Sequence, residues 1–289
     1  MDGHSWDSLV DDLGVLMNEG QDTTVVNLYE TEEYKYRASL FKNWYDAGYV
    51  KLDAATATDG VQAMMKNGTL FSYISNMKPG FKESYEGEIG RALTLLNLPS
   101  EIGKDVHWMA SSAYNYSNWG ITRQSADPAK AMKFLNFTYT NSEWNNLMNF
   151  ALEGEDYVFV EGSDNVVTFP EGKSVANSYH LNMGWMLPNQ FIGYVWEGQP
   201  EDIFSQWLEC NNTARKSKAF GFMADLSSVS TELTALKSVQ DEYVKTLAVG
   251  AASDLDATLQ EFNDKLYANG LEAVMDVNQE QLDAFLAGK

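Results

Sequence analysis

Histidine and cysteine are the side chains best suited to metal binding and nucleophilic work, and here they are few and dispersed. His4, His107 and His180 lie far apart, and Cys210 is the single cysteine. A zinc site needs several such ligands at close spacing, so none is expected. The stretch "SDLDATLQEFND" alternates acids. It lacks the glycine and closing glutamate of a calcium loop, and helix capping by Ser253 with Asp256 explains it better. Neither glycine-rich phosphate loop nor nucleophile elbow is present. Glycosidase chemistry needs two carboxylates at a set separation, and among 41 acids no pair stands out. The expectation is therefore no catalytic residue, no metal and no cofactor.

A different chemistry is better served. Neutral sugars offer apolar C–H faces to aromatic rings and hydroxyls to amides, lysines and serines. "SNMKPG" supplies Ser75, Asn76 and Lys78; "WMASSAYNYSNW" supplies Trp108, Tyr116 and Trp119; "MGWMLPNQF" supplies Trp185 and Asn189. These eight are the candidate ligand contacts. Trp185 is the first choice for a stacking face, because it sits between Gly184 and Pro188 outside any periodic stripe. Asn76 and Asn189 are the expected hydroxyl partners. The competing reading of each is core packing or turn chemistry.

Elements must position these residues. Thr31 is the expected cap of a helix that opens with Glu32 and Glu33 and ends at Gly48, with Leu40, Phe41, Trp44 and Tyr45 on its apolar face. Asp59 with Gln62 predicts a short helix ending at Gly68. "TLFSYIS", "RALTLLNLP" and "SNWGITR" read as strands, the first of them buried. Asp127 and Pro128 open a helix with Phe134, Leu135 and Tyr139 at helical spacing, and a second helix carries Trp144, Leu147 and Met148. Later helices are expected around Ile203–Leu208, Leu233–Leu247 and Leu255–Leu266, with a short one around Leu282 and Phe285. Alternating elements followed by helices predict an α/β architecture with a helical C-terminal third.

Composition narrows the partners. A net charge of −21 repels phosphate backbones, so nucleic acid is not an expected partner. With 44% apolar and 21% charged residues over 289 positions, a substantial folded core is expected. "MDGHSWDSLVDDLG" has neither the basic region nor the apolar run of a signal peptide, and no stretch approaches a membrane span.

"VVNLYETEEYKYRASLFKNWYDAGYVKLDAATATD" and "NNLMNFALEGEDYVF" resemble segments of the bacterial extracellular solute-binding proteins, family 1, that serve ABC importers. "GFMADLSSVSTELTALKSVQDEY" and "FNDKLYANGLEAVMDVNQEQLDAF" resemble the domain of unknown function, DUF3502, that ends a lipoprotein subgroup of these binders. The likeness covers nearly the whole chain and marks structure more than ligand. It implies a periplasmic-binding-protein type II-like fold of two α/β lobes that close on a ligand. In that fold this chain is incomplete, with the first lobe largely missing and no counterpart of the signal and lipid-anchor cysteine. It further implies that residues 1–103 and 182–289 belong to the second lobe and 104–181, with the helix hairpin, to the first. The function so implied is binding of a carbohydrate, an oligosaccharide above all, in the inter-lobe cleft. Delivery is to ABC permease subunits on the extracytoplasmic side, without catalysis. A carbohydrate-active enzyme and a peptide-binding or scaffolding module are the alternatives. Because the front is missing, the hairpin bearing Phe134, Leu135, Phe137, Trp144 and Leu147 is expected to be under-covered.

Overall fold

The computed structural model describes residues 5–75, 78–96, 109–110, 119–174, 177–179, 181, 184, 186–187 and 189–288. Nine helices of six residues or more occur among them: α1 (Glu32–Asp46), α2 (Val61–Lys66), α3 (Phe81–Ile89), α4 (Pro128–Thr140), α5 (Ser142–Phe150), α6 (Ile203–Thr213), α7 (Ser230–Ala248), α8 (Leu255–Ala268) and α9 (Leu271–Ala287). The described strands are two or three residues long: β1 (Asp7–Ser8), β2 (Val15–Leu16), β3 (Met109–Ala110), β4 (Val158–Phe159), β5 (Val166–Thr168), β6 (Val195–Trp196) and β7 (Arg215–Lys216). No helix among the described residues is long and apolar enough to cross a membrane.

The chain forms two compact units. The first comprises Met1–Val61, Leu98–Tyr114 and Thr213–Lys289; the second comprises Gln62–Asn97 and Asn115–Asn212. The lobe boundaries expected at 103/104 and 181/182 fall inside segments of these units. Compactness within this chain and lobe membership in a longer protein are separate divisions.

In the first unit, the expected caps form and the helices converge. Thr31 Oγ1 accepts from the Tyr34 N–H at 3.2 Å and sets the start of α1. Helices α7, α8 and α9 bury Leu236, Tyr243, Leu247, Leu259, Phe262, Leu266 and Val274 in one core with Leu28 and Tyr29. Phe262 stacks on Tyr243 at 5.1 Å and packs against Tyr29 at 4.6 Å. Polar side chains enclosed here pair with one another: Asn27 donates to Asn263 Oδ1 at 2.8 Å, and Gln240 donates to the Tyr29 hydroxyl at 2.9 Å, while the Gln240 Oε1 is buried without a partner among the described residues. Strands β1 and β2 pair antiparallel, and β3 runs parallel to β7 through Met109↔Arg215 and Ala110↔Lys216.

Two expectations in this unit are corrected. The cap of α8 is Asp254, which accepts from the Ala257 N–H at 3.0 Å, rather than Ser253. The last helix spans 17 residues, Leu271–Ala287, rather than a short helix around Leu282 and Phe285. Its buried face includes Asn278, whose amide donates to the Val274 carbonyl at 2.9 Å. A polar residue on the core side interrupted the apolar period and hid the helix's true length.

The second unit holds the helix hairpin and a three-stranded sheet. Asp127 caps α4 through the Lys130 N–H at 2.9 Å with Pro128 at its first position, and Asn141 caps α5 through the Trp144 N–H at 2.7 Å. The sheet has order β4–β5–β6, antiparallel then parallel, and buries Val167 against Phe150, Tyr157, Tyr194 and Trp196. The short helix before Gly68 is present as α2, but its expected cap is not formed: Asp59 faces Lys51 at 4.0 Å instead.

The three strand-like runs are also corrected. Residues 69–75, 91–96 and 119–123 are irregular where described. Phe71 is fully exposed, and Leu95, Leu96 and Trp119 are exposed too. An apolar run becomes a strand only when a neighbour completes its hydrogen-bond ladder, and no described segment does so here.

Candidate functional site

The described candidate residues Ser75, Lys78, Trp119 and Asn189 all belong to the second unit. Asn76, Trp108, Tyr116 and Trp185 lie outside the described residues.

Lys78 is set by the turn that precedes α3. Gly80 there has φ of +76°, and a Cβ would lie 2.7 Å from Ile203 Cδ1, so α6 packs tightly on this turn. From α6, Trp207 donates its indole N–H to the Pro79 carbonyl at 2.8 Å. The Lys78 ammonium lies over the same indole, 4.6 Å from the ring centre. Lys78 is exposed along its length, yet desolvation at its ammonium end lowers its pKa below the usual lysine value.

Trp207 is the hub of an aromatic trio. Phe204 meets it at 5.4 Å and 68°, and Phe191 meets it edge-on at 6.2 Å and 80°. Phe191 follows Asn189 by two residues. The Asn189 side chain accepts from the Phe191 N–H at 3.1 Å and donates to the Tyr139 carbonyl at 3.0 Å. Much of its amide thus holds the loop in place; among the described residues, one N–H and one lone pair have no partner.

The loop is anchored a second time by asparagines of α5. Asn145 donates to the Asn189 carbonyl at 2.8 Å, and Asn146 accepts from the Tyr194 N–H at 2.9 Å. Gly193 is required at this approach, because a Cβ would stand 2.9 Å from Asn145 Oδ1. Trp119 reaches the same loop by donating its indole N–H to the Met186 carbonyl at 3.2 Å.

The structure therefore brings Lys78, Asn189 and Trp119 to one loop-and-helix neighbourhood of the second unit. Ser75 is half-buried beside Tyr73, whose ring stacks on Tyr85. Sequence reasoning missed Phe191, Phe204 and Trp207 as site residues. Ile203, Phe204, Trp207 and Leu208 read as one core stripe, but only Ile203 is fully buried and Leu208 is 53% exposed. These four positions make an ordinary amphipathic stripe, so the sequence carried no signal that Phe204 and Trp207 stand only half-buried.

With rings at 53% (Trp119) and 42% (Phe191) exposure, an ammonium and an amide, the arrangement can cover an apolar ligand face and bond its hydroxyls. Among the described residues no group of three or more His, Cys, Asp or Glu could hold a metal. Burial pushes the Cys210 thiol up, toward its inert protonated form.

Comparison with known proteins agrees with this picture at the level of fold. Residues 218–287 match the family model "Domain of unknown function (DUF3502)". A curated protein of Streptococcus pneumoniae serotype 4, named a carbohydrate ABC transporter substrate-binding protein, is 26% identical over 279 residues, covering 94% of this chain and 53% of its own length. Two crystal structures of the N-glycan transport solute binding protein NgtS from Streptococcus pneumoniae, in complex with Man1GlcNAc and with Man5GlcNAc, superpose with TM-scores of 0.73 and 0.74. Both are 24% identical, and the match covers 99% of this chain and 62% of each of theirs. The chain thus spans about half the length of the curated relative. The resemblance read from the sequence holds: the chain has the fold of the solute-binding proteins of carbohydrate ABC transporters, with the domain of unknown function DUF3502 in residues 218–287.

Proposed function

We propose that this chain is the ligand-holding part of an ABC importer's substrate-binding protein, and that it binds a carbohydrate and passes it unchanged to permease subunits. The observation that carries the reading is the neighbourhood of Lys78, Trp119, Asn189 and Phe191, where exposed rings flank an ammonium and an amide. The sugars bound by the NgtS structures support a mannose- and N-acetylglucosamine-containing oligosaccharide as the ligand class. The relatives' description as substrate-binding proteins supports a role without catalysis, on the extracytoplasmic side; a lipid anchor as the tether is proposed on the family resemblance alone. The proposed contacts are Ser75, Asn76, Lys78, Trp108, Tyr116, Trp119, Trp185 and Asn189, with Trp185 as the stacking face. Residues 1–103 and 182–289 are assigned to one lobe of the complete protein and 104–181 to the other, by resemblance.

The test is calorimetric and fluorescence titration with such oligosaccharides, on this chain and on one extended to the relatives' length. Saturable binding is expected, weakened by at least ~1 kcal/mol in Trp185→Ala and Trp119→Ala at unchanged circular dichroism. Absence of any response in both chains rules the reading out. Unchanged affinity in the two variants would remove the site assignment.

A further inference from the structure

We propose that the role of the domain of unknown function, residues 218–287, is to clamp an N-terminal segment of this chain, residues 5–46, chiefly by its main chain, and that the two fold as one cooperative unit. The domain supplies α7, α8 and α9, and the segment supplies β1, β2 and α1. Both belong to the first unit.

The segment does little to hold itself. Strands β1 and β2 are two residues long, and Val15 exchanges two further backbone bonds with Val26, at 3.0 Å each. Pairings this short are not stable alone. Several backbone groups between Asp11 and Tyr29 are taken up instead by amide side chains, one from each helix of the domain. Gln240 on α7 donates to the Asp11 carbonyl at 2.7 Å. Asn263 on α8 donates to the Tyr29 carbonyl at 3.4 Å and accepts from the Asn27 side chain at 2.8 Å. Gln279 on α9 accepts from the Val25 N–H at 2.7 Å and donates to the Thr23 carbonyl at 3.0 Å, as a neighbouring strand would.

The placement of those amides points to the segment as their partner. Gln240 is 4% exposed and Asn263 8%, on helix faces that otherwise bury Leu236, Tyr243, Leu259 and Phe262. An amide on such a face costs stability unless it is bonded, so a three-helix domain built to stand alone would carry apolar residues there. Facing an irregular backbone, the same amides satisfy groups that a strand ladder would otherwise satisfy. The apolar contacts agree: Val15 and Leu28 of the segment lie in the same buried cluster as the three helices. Because most of these bonds go to main chain, the clamp reads the course of the backbone more than its side chains. The inference does not rest on the transport reading.

The experiment is native-state hydrogen exchange on the full chain, followed residue by residue by NMR. Val25 is the reporter, because its amide is bonded to a side chain of the domain. The Val15, Val25 and Val26 amides are expected to exchange in step with the core amides of α7, α8 and α9, through one opening event. Gln279→Ala should speed Val25 exchange about tenfold or more, and Asn263→Ala should speed exchange of the segment and of α8 by a common factor of similar size. Segment amides that exchange well before those of the three helices overturn the proposal. So does Val25 exchange that is unchanged in Gln279→Ala, and so does loss of protection confined to α8 in Asn263→Ala. Where Asn263→Ala does not fold, the half-buried Gln279 still decides the matter through Val25.

Discussion

Lys78 and Trp207 form a clamp closed from both ends of one indole. The ammonium lies 4.6 Å from the ring centre, while the ring's N–H donates to the carbonyl of Pro79, the residue after Lys78. A two-residue step of backbone thus grips a tryptophan by its face and by its edge, fixing the turn before α3 against α6. The same grip holds an ammonium where it is partly desolvated, which lowers its pKa.

The clamp separates stability from binding. Trp207→Phe removes the N–H donor while keeping a ring, and should cost about 1 kcal/mol in thermal or urea unfolding. Lys78→Met keeps the apolar stem over the ring and removes the charge, so unfolding should change by less than about 1 kcal/mol while oligosaccharide affinity falls. Equal loss of stability in both variants would show that Lys78 is a packing residue.

Gly250 supplies a sharper stability test. Its φ is +76°, and a Cβ there would lie 2.2 Å from the Phe41 carbonyl oxygen and 2.6 Å from the Lys42 nitrogen. Those atoms are helix backbone and cannot step aside cheaply. Gly48 has the same φ of +76° with nothing within 4 Å of its added Cβ. Gly48→Ala should therefore cost about 1 kcal/mol, the conformational term alone, while Gly250→Ala should cost about 3 kcal/mol or more. Chemical denaturation of the two variants side by side checks the difference, and equal costs would mean that α1 yields at Phe41.

The contrast between helices and strands shows what this sequence makes legible. Thr31, Asp127 and Pro128 announced their helices because a cap is a local transaction between a side chain and backbone a few residues on. The runs at Thr69–Ser75 and Arg91–Leu96 could not announce their fate, because a strand is made by its neighbour. The site was legible in the same proportion. Lys78, Trp119 and Asn189 stood out as polar or aromatic residues at loop positions. Phe204 and Trp207 were concealed by a helical period that they satisfy without being fully buried.

The hairpin of α4 and α5 leaves part of its apolar pattern on the surface. Phe134 is 59% exposed, and Phe137 and Leu147 are also exposed; Leu135 and Trp144 are half-buried. Contiguous exposed apolar area of this kind favours association. The chain should bind an apolar-surface dye and scatter light as more than a monomer, and Phe134→Ser with Leu147→Ser should reduce both signals. A clean monomer with no dye binding counts against an under-covered face.

Asp156 should make one loop of the second unit sensitive to acid. Its carboxylate accepts from the Tyr179 N–H at 3.0 Å, the Leu152 N–H at 3.3 Å and the Ser178 hydroxyl at 3.2 Å. The Tyr179 bond is the largest of the effects that hold its pKa below the usual aspartate value, with Leu152, Ser178 and the Lys173 charge acting in the same direction. A carboxylate depressed in the folded state contributes stability at pH above its unfolded pKa and loses that contribution as pH falls through its folded one. The loop contacts from Leu152 to Tyr179 should therefore persist through mildly acidic pH and loosen only below the ordinary aspartate range. NMR should show the Tyr179 amide signal titrating with a midpoint under that range, and the titration should vanish in Asp156→Asn. A midpoint at or above the ordinary aspartate value would mean that the three donors do not hold the charged carboxylate in solution.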